Sequence, residues 1–243
     1  RPHLPFGAPK KYLDLYTDAE LPTVPHPKKP EGRTTWHKSG EFYKYKRDGM
    51  DPSTNADYSI QVRKHYAACV SYADAQVGRM LDRLDLLGIR ENTIVVLWGD
   101  HGWHLGEHSI WGKHALFEES LRSPLIISYP GIPNPGKMSH SMVETIDVFP
   151  TLVELSGLPK AKHAHGVSLK PILESPNATG HDAYAYRSYG YTIRTETHRL
   201  IAHTDGYIEL YDHRTLEGET RNIADEQPEV VAELKAKIKK RFK

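Results

Sequence analysis

The stretch Thr93-Ile94-Val95-Val96-Leu97-Trp98-Gly99-Asp100-His101-Gly102 decides the reading of this chain. Residues 93–98 are β-branched or bulky and carry no charge, as in a strand buried on both faces. Polar groups directly behind such a strand lie at its carboxyl edge, where open α/β sheets place their ligand sites. A carboxylate (Asp100) and an imidazole (His101) held there suit a metal ion. Taken alone, Asp-His-Gly reads equally as a turn after a strand, because Asp and Gly are ordinary turn residues.

The sequence around it narrows the choice. The run continues as Trp103-His104-Leu105-Gly106-Glu107-His108-Ser109-Ile110-Trp111-Gly112-Lys113. Residues 98–113 hold three histidines, three tryptophans, four glycines and one lysine. Glycines let a backbone approach a ligand closely, and this density of reactive groups is unusual for a structural loop. Trp103 offers a flat apolar face of the kind a pyranose ring stacks on; a core tryptophan is the competing reading. His104 and His108 read either as groups near a ligand or as residues closing the loop.

Other segments carry the same ordered character. They are Arg1-Pro2-His3-Leu4-Pro5-Phe6, the helical run Tyr66 to Met80, Val148-Phe149-Pro150-Thr151-Leu152 with its continuation to Leu158, Glu209-Leu210-Tyr211-Asp212-His213-Arg214, and Glu219 to Asp225. Together with the 98–113 loop, and in this order, they resemble the type I, formylglycine-dependent sulfatases of the alkaline phosphatase superfamily. The likeness is strongest to the iduronate-2-sulfatase branch and is poor only over residues 7–57.

That resemblance implies an α/β fold: the C-terminal part of an alkaline-phosphatase-like mixed sheet flanked by helices, followed by a small antiparallel α+β subdomain. The boundary is expected near residue 176, with 1–176 in the catalytic domain and 177–243 in the subdomain. It implies hydrolysis of a sulfate ester on a sugar, such as a 2-O-sulfated uronic acid in a polysaccharide or glycosaminoglycan. His3 and Lys113 take catalytic roles, facing the departing sugar oxygen and the sulfate. Trp103 and His104 line the sugar pocket. Asp100 and His101 hold one divalent ion, calcium, although calcium prefers oxygen ligands and an imidazole is an odd one for it. In such enzymes a hydrated formylglycine attacks sulfur, a form of covalent catalysis.

The chain contains neither the Asp-Asp metal pair of these enzymes nor their Cys/Ser-x-Pro-x-Arg nucleophile motif. Its one cysteine, Cys69, lies within a helical pattern and reads as a small core residue. The expectation is therefore a C-terminal portion whose partner is its own N-terminal sulfatase segment, which supplies the nucleophile. Two other readings stay open. One is a phosphodiesterase or phosphonate hydrolase of the same superfamily; the other is a non-catalytic half acting as a binding or structural module.

Composition sets limits. Lys and Arg total 32 against 31 Asp and Glu, so no basic excess marks a nucleic-acid partner. No apolar run is long enough to span a bilayer, and an exported protein, periplasmic or extracellular, is expected. A single cysteine excludes an intrachain disulfide.

Along the chain, residues 1–57 read as irregular, with a short helix at Lys10 to Tyr16. Apolar residues at helical spacing predict a helix over Ser59–Leu87, closed by Gly88. Ser123–Tyr129 reads as a second buried strand, Thr145–Ser156 as a helix, and 159–180 as a linker. Strands follow at Tyr184–Tyr189, Tyr191–Thr195, Arg199–His203 and Tyr207–Tyr211. An amphipathic helix starts at Pro228. His163, His165, His181, His198, His203 and His213 lack ligand spacing and read as surface residues.

Overall fold

The fold follows from a computed structural model that describes residues 3–30 and 39–243. In chain order the helices are α1 (Lys10–Leu13), α2 (Ala56–Leu86), α3 (Glu118–Leu121), α4 (Val148–Leu155), α5 (Lys170–Glu174) and α6 (Pro228–Arg241). The strands are β1 (Val95–Trp98), β2 (His104–Leu105), β3 (Trp111–Gly112), β4 (Leu125–Ser128), β5 (Ala183–Arg187), β6 (Gly190–Arg194), β7 (His198–His203) and β8 (Ile208–Asp212). Contacts divide the chain into two units. The first comprises Arg1–Lys29, Thr35–Glu91 and Trp103–Ala115; the second comprises Pro30–Thr34, Asn92–Gly102 and Leu116–Lys243.

In the first unit α2 is the long element. Asn55 caps it by accepting a hydrogen bond from the Tyr58 N–H at 2.9 Å, which satisfies an amide the helix itself leaves unpaired. The cap explains why the helix starts before the apolar spacing does. Gly88, at φ 65°, lets the chain turn away after the last turn. Val62, Ala68 and Cys69 are its buried residues. Val62 joins Leu4, Phe42 and Trp111 in a core edged by Phe6, Tyr58, Trp103 and Leu105. Cys69 is buried, and burial pushes its thiol up in pKa, as suits a small core residue. The predicted helix at Lys10 to Tyr16 forms as α1 followed by a 3-10 turn, Asp14–Tyr16. Tyr16 ties that turn to α2, its hydroxyl lying 2.7 Å from the Ser71 Oγ.

In the second unit β1 pairs antiparallel with β4, with Leu97 opposite Ile126. The sequence predicts a strand covered on both faces. Here Val95 and Val96 are half-buried, whereas Leu97 is 40% and Trp98 50% exposed. Among the described residues β4 is the one strand hydrogen-bonded to β1, and a two-stranded ladder has too few neighbours to cover both faces.

The 159–180 stretch is not a loose linker. It contains α5, and it lies flush on the segment before and within α4. A Cβ on Gly166 would sit 2.2 Å from the Ile146 carbonyl oxygen, and one on Gly180 would sit 2.2 Å from that of Met142. Asp147, fully buried, accepts from the amides of Glu144 at 2.7 Å and Val167 at 2.9 Å. Buried amides need such partners, and the sequence pattern alone does not show where they come from.

Strands β5 to β8 form an antiparallel meander in chain order. Helix α6 covers it, burying Leu234 and Ile238 against Ile193, Leu200 and Leu210. All four strands and the helix lie within two residues of where the sequence reading puts them. The histidines do not all follow their surface assignment. His163 and His165 are exposed, but His198 and His203 are each only 7% exposed. His213 bonds to Glu219 at 2.9 Å and His181 to Asp147 at 2.7 Å. These partners are distant in sequence, which is why spacing does not reveal them. Beside His213, the fully buried Arg199 is paired with both Glu118 and Glu219.

Candidate active site

The lysine loop belongs to the first unit. Its arms are β2 and β3, paired His104 to Gly112 and Leu105 to Trp111. Trp111 is 3% exposed and packs on Phe42, ring centroids 5.9 Å apart. Phe42 opens a 3-10 turn, Phe42–Lys44, directly after Ser39-Gly40-Glu41. The Ser39 side chain lies directly on the Gly112 backbone: a Cβ on Gly112 would lie 1.6 Å from the Ser39 Oγ. Only glycine permits that approach, and it sets Glu41 next to Lys113.

The consequence is a three-residue constellation. Lys113 Nζ lies 3.5 Å from one carboxylate oxygen of Glu41, and His3 Nε2 lies 2.8 Å from the other. The second nitrogen of His3, Nδ1, is 3.2 Å from the Leu4 carbonyl oxygen. The Lys113 side chain is only 14% exposed, whereas that of His3 is 52% exposed. The Lys113 ammonium also stands over the Trp103 ring, 5.6 Å from its centroid, within cation–π range. Phe6 meets Trp103 edge-on at 5.5 Å, so the His-Leu-Pro-Phe segment, residues 3–6, and the lysine loop are packed together. His3, Trp103 and Lys113, three of the residues singled out in the sequence, are thus neighbours. Glu41, which joins two of them, is in no recognised motif.

His104 is different. It is fully buried, its ring lying edge-on to His108 at 5.9 Å. It packs inside the loop and presents no surface to a saccharide.

Asp100 and His101 belong to the second unit and follow β1 directly. The Asp100 side chain is 80% exposed. Its Oδ1 accepts from the His101 amide at 3.1 Å, and its Oδ2 lies 3.6 Å from His101 Nε2. His101 Nδ1 is 2.8 Å from the Gly102 carbonyl oxygen. Gly102 in turn donates its amide to the Ser120 carbonyl at 2.8 Å. A side chain there would collide with the Glu119 carbonyl, 2.0 Å from a built Cβ. The Asp-His turn is thereby pinned by a glycine that nothing else can replace. A solvent-facing carboxylate suits a hard divalent cation. Calcium, however, takes six to eight oxygens, and among the described residues no group of three ligand-type side chains includes Asp100 or His101. Asp100 fits such an ion as one ligand of several; His101, through nitrogen, fits calcium poorly.

Comparison with known proteins identifies the family. The family described as "Sulfatase" matches residues 1–158, and that described as "N-sulphoglucosamine sulphohydrolase, C-terminal" matches residues 106–243. A "Sulfatase" of Formosa agariphila is 34% identical over 232 residues, covering 93% of this chain and 45% of that protein. The iduronate 2-sulfatase of Homo sapiens is 31% identical over 190 residues, covering 65% of this chain and 34% of that protein. The chain thus spans less than half the length of these curated relatives. Among solved structures, a protein in complex with its substrate D-glucosamine-2-N,6-O-disulfate superposes with TM-score 0.81 at 25% identity, covering 99% of this chain and 63% of that one. A phosphonate monoester hydrolase from Silicibacter pomeroyi gives 0.77 at 27% identity, covering 100% and 53%.

Proposed function

Because the chain belongs to the sulfatase family, we propose that it supplies one wall of an active site that hydrolyses sulfate esters of sugars. The observation that carries this reading is the convergence of His3 and Lys113 on one carboxylate, beside the Trp103 ring. A compact ammonium has three donors for sulfuryl oxygens, and preorganised positive charge favours a transition state in which charge moves onto oxygen. His3, half-exposed, is placed to donate a proton to the departing sugar oxygen. Trp103 offers its face to the sugar ring. His104, with no exposed surface, supports the loop from inside.

The nucleophile is proposed to come from an N-terminal segment outside this sequence, as a formylglycine. Asp100 would give one carboxylate to a calcium ion whose other oxygen ligands come from that same segment. Such an ion supplies fixed positive charge. The sugar is proposed to be a sulfated saccharide unit of a polysaccharide or glycosaminoglycan, in line with the names of the relatives. No helix among the described residues is long and apolar enough to cross a membrane, and an exported enzyme is proposed.

The likeness to a phosphonate monoester hydrolase favours a second reading, since sulfate and phosphonate monoesters are both tetrahedral oxyanions. Steady-state kinetics on the full-length enzyme separate the two. The sulfatase reading expects kcat/KM for a sulfated disaccharide or an aryl sulfate to exceed that for the matched aryl phosphonate. The reverse order supports the phosphonate reading, and no turnover of either ester leaves a non-catalytic half.

A further inference from the structure

Glu41 has no part in the family resemblance, yet among the described residues its carboxylate is paired with both proposed catalytic side chains. Oε1 meets His3 Nε2 at 2.8 Å and Oε2 meets Lys113 Nζ at 3.5 Å. The carboxylate is itself largely shielded, 22% exposed. Its place is fixed from two sides. Phe42, the next residue, is 5% exposed in the core with Trp111. Ser39, two residues before, is pressed against Gly112, the residue before Lys113. A carboxylate held this way, with one oxygen on an imidazole and the other on an ammonium, does more than neutralise charge.

We infer that Glu41 is a positioning residue, which holds the His3 ring in one orientation by accepting its Nε2–H and steadies Lys113 through its second oxygen. The inference rests on the sulfatase reading for what His3 and Lys113 do. A carboxylate accepting from one ring nitrogen fixes the proton there and leaves the other nitrogen for the substrate, the arrangement by which a third group orients a catalytic base or acid. In the imidazolium that serves as acid, Glu41 accepts the Nε2–H, so the Nδ1–H is the proton that faces the departing oxygen. Its present contact, the carbonyl of the neighbouring Leu4 at 3.2 Å, is long and readily exchanged.

Leaving-group dependence distinguishes this role from a merely structural one. The full-length enzyme is compared with Glu41→Ala, Glu41→Gln and, as a control on α6, Glu229→Gln. The substrates are 4-nitrophenyl sulfate, whose leaving group departs without a proton, and a sugar sulfate, whose alkoxide needs one. Loss of an oriented acid is expected to lower kcat for the sugar sulfate by about ten- to a hundredfold, with a loss of only a few-fold on the aryl ester. Glu41→Gln keeps an oxygen acceptor for Nε2–H and is expected to recover most of the sugar-sulfate rate; Glu229→Gln is expected to match wild type on both. Equal losses on the two substrates, or none, overturn the inference.

A second readout does not depend on turnover. In histidine-labelled protein, the nitrogen-15 resonances of the His3 ring are expected to show a hydrogen-bonded proton on Nε2, and Glu41→Ala to remove that signature. An unchanged His3 spectrum overturns the inference. A wild-type protein that shows the signature but turns over no sulfate ester keeps Glu41 as the anchor of His3 and overturns the sulfatase reading instead.

Discussion

Asp100 offers most of its carboxylate to solvent, and His101 beside it turns one nitrogen back onto the Gly102 carbonyl. If Asp100 is a calcium ligand, Asp100→Ala in the full-length enzyme should abolish the rise in Tm that calcium brings, because a ligand stabilises the state it binds. His101→Ala should leave most of that rise in place, since a nitrogen adds little to an oxygen-seeking ion. A calcium-induced shift unchanged in Asp100→Ala would remove that residue from the ligand set. At this scale the sequence carries much of the site. His3, Trp103 and Lys113 are legible because short motifs fix them locally. Glu41 is not, because its neighbours 31–57 show no periodicity and its role arises only where Ser39 meets Gly112. The one signal available was the aromatic pair Phe42-Tyr43 immediately after it, an apolar anchor in an otherwise polar stretch. His104 shows the opposite error, a reactive type in a rich motif whose ring the fold turns inward.

Among the elements, the tie between α3 and β7 is sensitive to pH. Arg199 on β7 pairs with Glu118 at the start of α3 and with Glu219. Burial alone would raise the Glu219 carboxyl. The Arg199 guanidinium, with the hydrogen bond from His213, outweighs it and lowers the group from 4.5 to about 2. A carboxyl depressed on folding contributes stability that is complete above its unfolded value and is lost as pH falls through the folded one. Tm should therefore fall between pH 4.5 and about 2, in part through this group. Glu219→Gln should flatten that limb in thermal melts. At neutral pH it should cost about 3–5 kcal/mol, the usual penalty for leaving a buried charge half-compensated. An acid limb identical in the variant would show that Arg199 and Glu219 do not carry it. The strands that form this sheet were readable as short segments, α2 from its helical spacing and α6 from its amphipathic pattern. The two-residue strands β2 and β3 and the 159–180 segment against α4 were not, since the close approaches at Gly112, Gly166 and Gly180 leave no periodic mark.

For the molecule as a whole, the exposed apolar residues are informative. Leu97 and Ile126 face each other across β1 and β4, and are 40% and 58% exposed; Trp98 at the strand end is 50% exposed. On α2, Val70 and Met80 are 54% and 70% exposed. If an N-terminal sulfatase segment covers these faces, residues 1–243 produced alone should self-associate and bind a hydrophobic dye. Co-expression with that segment should suppress both, and a Leu97→Lys/Ile126→Lys double variant should suppress the dye signal without it. A monodisperse monomer with one sharp thermal transition, from residues 1–243 alone, would count against such a partner. The meander β5-β6-β7-β8 bears on a different matter, the order of events in folding. Each of its strands pairs with the next in the chain, so its loops are short and little entropy is lost in closing them. Such local pairings form early, whereas the Arg199–Glu118 link must bring together residues 81 positions apart. The part of this chain that a ribosome releases last is therefore the part equipped to fold first, and it can serve as the finished surface onto which α3 and its neighbours settle.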